Sequence, residues 1–150
     1  MELRLEPLTS QHTVQLGSFR CAEYRKPWTE DVEELIRDSL AFSLGTGDLV
    51  GLGLWQATSL IAVIAWRESA HEPWYSALLA VATGHQRHGY GRQLKVELLK
   101  RAQLSGAEAV YSLIDWDNDS ALKLNESLGA SITRDPDARH QRLIATIYLN

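Results

Sequence analysis

The chain has 150 residues, of which 45% are hydrophobic and 23% are charged. These values are close to the average of globular domains and exclude a disordered or coiled-coil protein, and the length suffices for one domain with a buried core. The single cysteine, Cys21, excludes an internal disulfide framework and a thiolate metal cluster. A net charge of −4 argues against non-specific binding to nucleic acid. We therefore predict one domain over residues 1–150 and no metal site.

The first third of the chain predicts one strand and two helices. Residues 3–7 alternate apolar and polar side chains and end at a proline, which is typical of a short strand. Residues 10–19 favour a short helix. Thr29 is a suitable N-cap for a second helix that reaches Leu44, because acidic residues follow it and apolar residues recur at helical spacing.

The remainder of the chain alternates between strands and helices. The predicted strands cover residues 49–55, 60–66, 74–82, 110–114, 131–134 and 141–149. A helix after the third of these ends near Gly106, and another runs from its N-cap Asn118 to Gly129. The complete order, β-α-α-β-β-β-α-β-α-β-β, indicates an α+β fold with a mixed, mostly antiparallel sheet flanked by helices.

No segment of the sequence suggests export or membrane insertion. Residues 1–6 lack the basic and then apolar layout of a secretory signal. No apolar run approaches the ~18 residues that a membrane span requires. We expect a cytoplasmic protein without a membrane partner.

The junction between residues 81 and 92 predicts a site for phosphate. An apolar strand ends at Ala82 and leads into a loop with Gly89 and Gly91, after which a helix begins. The first N–H groups of a helix have no intrahelical partner and favour an anion. Basic side chains surround the junction, namely His85, Arg87, His88 and Arg92. A turn of this kind also occurs for purely geometric reasons, so a structural role is the alternative.

Two common phosphate loops do not fit these residues. A dinucleotide fingerprint that starts at Gly89 would need its third glycine at Leu94. A nucleoside triphosphate loop would need Lys and then Ser or Thr after its last glycine, whereas Arg92 and Gln93 follow Gly91.

The pattern Gln86-Arg87-His88-Gly89-Tyr90-Gly91 resembles the acetyl-CoA pyrophosphate loop of the GCN5-related N-acetyltransferase (GNAT) family. A second segment is similar to the motif that follows the fifth strand in this family, and it consists of Asn118, Ala121, Leu124, Asn125, Leu128 and Gly129. The register departs at one point, because many relatives carry tyrosine where this chain has Asn125. The resemblance covers about half of the chain, from Trp74 onward.

The resemblance implies a GNAT-like fold and acetyl-CoA, or another acyl-CoA, as co-substrate. It also implies that a backbone N–H where the fourth strand bulges, near Leu79 to Val81, donates to the thioester oxygen. The residues expected to contact the cofactor are Leu79, Val81, Gln86, Arg87, His88, Gly89, Tyr90, Gly91, Arg92 and Asn118.

The resemblance points to Tyr75 and Asn125 as the catalytic positions. Tyr75 aligns with the glutamate that histone-type relatives use as a base, although a neutral tyrosine is a poor base near pH 7. Asn125 lacks an acidic proton but can hydrogen-bond the sulfur or a carbonyl. Alternative proton relays are His71, Glu72 and His140. Trp28, with Glu33 or Glu34, could form an aromatic and acidic rim for a cationic acceptor.

The function implied is an N-acyltransferase in which a primary amine attacks the thioester directly. The acceptor is a small molecule, a peptide or a protein, and relatives are often homodimers. One alternative is a non-catalytic, acyl-CoA-binding regulatory module, which the residues Tyr75 and Asn125 favour. Another is a toxin-like enzyme that acetylates aminoacyl-tRNA, which the acidic overall charge opposes.

Overall fold

The computed structural model describes residues 2–18, 30–82, 84–137 and 141–149, without the side chains of residues 16–18 and 30–36. Cys21, Trp28 and His140 therefore lie outside the described residues. The same holds for the predicted N-cap Thr29 and for the side chains of Glu33 and Glu34.

The described residues form seven strands and three α-helices. A 3-10 helix over Ser10–Ser18 stands where the first short helix was predicted. The α-helices are α1 (Glu30–Thr46), α2 (Tyr90–Leu104) and α3 (Asp119–Ser127). The strands are β1 (Leu3–Pro7), β2 (Val50–Gln56), β3 (Ser59–Arg67), β4 (Trp74–Val81), β5 (Ala109–Asp115), β6 (Ser131–Arg134) and β7 (Arg142–Tyr148).

All seven strands belong to one sheet with the order β1-β2-β3-β4-β5-β7-β6. Every neighbouring pair is antiparallel except β4 and β5, which are parallel. Parallel neighbours require a crossover connection, and α2 supplies it. The predicted α+β fold with a mixed, mostly antiparallel sheet is confirmed.

Helices cover the centre of the sheet on both faces. Strand β3 is buried from Leu60 to Trp66, which is expected of a central strand with a helix on each side. One face packs with Leu40 of α1, and the other packs with Leu94, Leu98 and Ala102 of α2. No helix in the described ranges combines the length and apolar character needed to cross a membrane.

The ends of α2 and α3 follow from local sequence. Helix α2 begins after Gly89 and stops at Ser105, where Gly106 adopts a φ of +83° that other residues rarely tolerate. Helix α3 begins at the predicted N-cap, because Asn118 Oδ1 accepts a hydrogen bond of 3.2 Å from the Ala121 N–H. Residues at both helix starts line one cavity, which is the site described below.

The contact of α2 with the sheet supplies a test of the core. Leu98 is fully buried on this helix, and we expect Leu98→Ala to lower the free energy of unfolding by about 2–5 kcal/mol. Leu104 is 90% exposed on the same helix, so Leu104→Ala should change it by no more than about 0.5 kcal/mol. Urea unfolding followed by circular dichroism measures both values. Equal losses in the two variants would contradict the assigned packing face of α2.

Candidate functional site

The site begins with a gap in the sheet between β4 and β5. These strands pair at only two positions, Trp74 with Val110 and Tyr75 with Tyr111. Beyond these pairs the strands diverge, so residues 76–81 of β4 and residues 112–115 of β5 form no ladder with each other. Backbone polar groups that are not used in a ladder must find other partners, and the gap therefore offers donors and acceptors to a ligand.

A cavity of about 860 Å³ occupies this gap. It reaches from Gln86 and Arg87, in the loop before α2, to Tyr75 and Ser112 at the closed end of the gap. Residues of α3 complete its wall. The volume is in the range of sites for cofactors and small molecules.

The loop end of the cavity is built around the start of α2. Gly89 holds the N-cap position with a φ of +79°, and no side chain caps the helix. A Cβ atom built on Gly89 meets nothing within 4 Å, and both Gly89 and Gly91 line the cavity. Gly91 lies inside the first helical turn, where its Cβ would make ordinary contact with Leu79 and Val81. Gly89 therefore turns the chain, whereas the position of Gly91 has room for a Cβ atom.

The electrostatics of the loop end favour an anion. The first turn of α2 contains no acidic residue, and Arg87 and Arg92 both line the cavity. Arg92 Nη1 donates a hydrogen bond of 2.6 Å to Ser127 Oγ, which fixes its side chain across the space between α2 and α3. A helix N-terminus with two guanidinium groups beside it is suited to phosphate.

The strand β4 contains a bulge at Ala77. Ala65 pairs with Leu78 and Trp66 pairs with Ser76, so Ala77 is an extra residue opposite β3. The sequence predicted this bulge near Leu79 to Val81, and that position is wrong by at least two residues. Both Leu79 and Val81 nevertheless line the cavity, as does Ala77.

The wall of the cavity gathers buried polar side chains. Five of the six buried polar or charged side chains in the described part of the chain line this one cavity. They are Ser76, Lys95, Ser112, Asn118 and Asn125. Polar groups are costly to bury, and their concentration here marks the site more clearly than any single residue does.

Lys95 is a residue of this cluster that the sequence reasoning missed. It follows the buried Leu94 and precedes Leu98 and Leu99 by three and four positions, so it lies on the apolar face of α2. A lysine at a core-facing helical position is the signal that could have identified it. Its Nζ donates a hydrogen bond of 2.6 Å to Ser112 Oγ on β5.

Asn125 lies on α3 with 4% of its surface exposed. Its Nδ2 donates to the Ala121 carbonyl at 2.8 Å. Its Oδ1 has no hydrogen-bond partner among the described residues and is buried at the cavity wall. This oxygen is placed to accept a hydrogen bond from a ligand in the cavity.

Tyr75 contributes to the cavity from the other face of the sheet. Its neighbour Trp74 packs with the α2-side core, and successive strand side chains point to opposite faces. The Tyr75 ring stacks on Tyr111 at 5.0 Å, with the Arg67 guanidinium 5.9 Å from its centre. Arg67 also forms two hydrogen bonds with Asp48, which lower the pKa of this carboxyl and raise the pKa of Arg67.

The structure brings most of the predicted site residues together. Ten of them line the cavity: Tyr75, Leu79, Val81, Gln86, Arg87, Gly89, Gly91, Arg92, Asn118 and Asn125. His88 and Tyr90 are not among the lining residues and stack on each other at 5.5 Å.

Two of the alternative proton relays, His71 and Glu72, lie apart from this cavity. They line a separate cleft of about 510 Å³. Within the described ranges, no group of three or more His, Cys, Asp or Glu residues could hold a metal ion.

Comparison with solved structures shows the same fold in several acetyltransferases. The PaiA N-acetyltransferase from Thermoplasma acidophilum, in complex with coenzyme A, is 15% identical over 99% of both chains, with a TM-score of 0.81. The ribosomal-protein-S18-alanine N-acetyltransferase from Escherichia coli is 19% identical and has a TM-score of 0.73, covering 99% of this chain and 93% of its own. Arabidopsis thaliana NAA60, in complex with a bisubstrate analogue, is 14% identical over 99% of both chains, with a TM-score of 0.71.

Sequence comparison assigns the family. No curated protein sequence matches this chain. The profile of the acetyltransferase (GNAT) family matches residues 14–130, which is more than half of the chain and includes both the α2 loop and α3. The chain therefore belongs to the GNAT family of acetyltransferases.

Proposed function

We propose that this protein is an acyl-CoA-dependent N-acetyltransferase that moves the acetyl group of acetyl-CoA to a primary amine. The observation that carries the proposal is a single cavity with two chemically distinct parts. One part is the uncapped, basic start of α2, and the other is the wall beside the β4–β5 gap, which carries the cluster of buried polar side chains.

The residues present fit the diphosphate of coenzyme A. Open space in front of Gly89, together with Arg87 and Arg92, would hold this group. Gln86 lines the same end. We assign His88 and Tyr90 a supporting role in the loop, because they pack on each other and not on the cavity.

The gap in the sheet fits the arm of the cofactor. Backbone groups along the facing edges of β4 and β5 are not used in a ladder between the two strands, so they would bind the amide groups of the pantetheine arm. Leu79 and Val81 supply apolar wall on one side. Asn118 and Asn125 supply polar wall on the other, where the Asn125 Oδ1 would accept a hydrogen bond from an amide N–H.

When bound, acetyl-CoA supplies an acetyl thioester that an amine can attack. The chain itself would exclude water, orient the thioester and donate a hydrogen bond to its oxygen. The bulge leaves Ala77 outside the regular ladder, so its backbone N–H is our candidate for this donor. Tyr75 would line the path of the acceptor on the opposite face of the sheet.

The acceptor class is a primary amine of a small molecule, a peptide or a protein. The similarity to an enzyme for ribosomal protein S18 supports a protein or peptide acceptor. The acidic overall charge opposes a tRNA acceptor. We further propose a single domain that acts in the cytoplasm, with a homodimer as its expected assembly.

Binding of coenzyme A can be tested at Gly89. Saturating ligand should stabilise the wild type, by ~2.7 kcal/mol at 100 times the dissociation constant. Gly89→Asp would place a carboxylate against the diphosphate, and we expect at least about a tenfold loss of affinity from this repulsion. Thermal unfolding with increasing coenzyme A, together with calorimetry, measures both effects.

Gly106→Asp is the matched control for this variant. Gly106 lies at the other end of α2 with a similar φ of +83° and equally open space, so it shares the strain and the added charge. We expect its affinity for coenzyme A to equal that of the wild type. If the Gly89→Asp variant bound coenzyme A as tightly as the wild type, the diphosphate would have to bind elsewhere.

Catalysis is tested by thiol release from acetyl-CoA. The wild type should release free thiol in the presence of an accepted amine from a panel of small amines, peptides and protein N-termini. Mass spectrometry should find one added acetyl group on that amine. Tight binding of acetyl-CoA without thiol release across the whole panel would contradict the enzymatic proposal and favour a binding module.

A further inference from the structure

Lys95 has an unusual environment for a lysine. Only 2% of its surface is exposed, and it lies on the face of α2 that otherwise carries Leu94 and Leu98. Lysine is almost never buried without a partner that stabilises its charge. Its Nζ donates a hydrogen bond of 2.6 Å to Ser112 Oγ, and both residues line the cavity. The amine is therefore held at the cavity wall.

The position of Ser112 places the amine at the closed end of the gap. Tyr75 and Tyr111 form the last pair between β4 and β5, and Ser112 is the next residue of β5. A chain-like ligand that enters at the α2 loop can run no further between the two strands than this point. Lys95 is five residues into α2, about 8 Å along the helix axis from its first residue. The amine thus lies at the far end from the phosphate site.

We propose that Lys95 is a catalytic residue that donates a proton to the leaving sulfur of coenzyme A, with Ser112 holding its amine in place. This inference rests on the proposed acetyltransferase function. It names the acid of the reaction, a role for which Asn125 has no ionisable proton. Tyr75 is less suitable, because it lies on the opposite face of the sheet.

The transfer balances with this assignment. The acceptor nitrogen forms a bond to the acetyl carbon, and the carbon–sulfur bond breaks with its electron pair on the sulfur. The Lys95 ammonium gives the sulfur a proton, and coenzyme A leaves as a thiol. The acceptor nitrogen loses its proton to solvent, and a proton from solvent restores the ammonium after coenzyme A has left.

The test uses coenzyme A itself as the probe and requires no acceptor. A cation within about 4–6 Å of the sulfur should lower the pKa of the bound thiol by about 1 unit or more. The ultraviolet absorbance of the thiolate, followed against pH at saturating protein, measures this value. We expect the thiol to titrate at lower pH in the wild-type complex than in free coenzyme A, and Lys95→Met to abolish the difference.

Lys100→Met is the matched control, since Lys100 is an exposed lysine on the same helix. Coenzyme A bound to this variant should show the same thiol pKa as coenzyme A bound to the wild type. If Lys95→Met does not fold, Lys95→Gln removes the charge and keeps a polar group. Calorimetry gives the affinity of each variant, so that all titrations are compared at saturation.

The outcomes separate this inference from the proposed function. An unshifted thiol in the wild-type complex, or equal shifts in wild type and in a folded, saturated Lys95 variant, would overturn the role of Lys95 and leave cofactor binding intact. Failure of the wild type to bind coenzyme A would overturn the proposed function instead.

Discussion

The architecture of the site depends on the small number of residues over which β4 and β5 pair. Two residue pairs join these strands, and the remaining edges separate. In a regular sheet these edges would satisfy each other's hydrogen bonds and leave no space for a ligand. The divergence instead creates a cavity in the middle of the protein, where α2 and α3 can each contribute a helix start to its wall.

The cavity is suited to a polar ligand because most of the buried polar side chains among the described residues line it. Elsewhere the core is apolar on both faces of the sheet. Around the cavity, a lysine, two asparagines and two serines are buried in a small volume. Each would be costly in an ordinary core, and each becomes useful if a polar ligand completes its hydrogen bonds. The proposals for Lys95 and Asn125 both follow from the burial of these polar side chains at the cavity wall.

Much of this organisation could be predicted from local patterns. The strand ends, the N-cap Asn118 and the end of α2 before Gly106 depend on neighbouring residues. The structure places the N-cap and the helix end as predicted and the strand ends within one residue of the prediction. The bulge at Ala77 and the burial of Lys95 depend on partners far along the chain, Trp66 and Ser112. Their positions are set by strand register and helix packing, which a single sequence does not specify.

The bond between Arg92 and Ser127 has a consequence for the thermodynamics of ligand capture. Ser127 Oγ donates onward to the Leu124 carbonyl at 2.7 Å, so the arginine is held by a hydroxyl that is itself oriented. An unrestrained arginine loses substantial rotamer entropy when a phosphate immobilises it. Here the hydrogen bond to Ser127 already orders part of the Arg92 side chain in the folded protein, so an incoming anion has less of this entropy to remove.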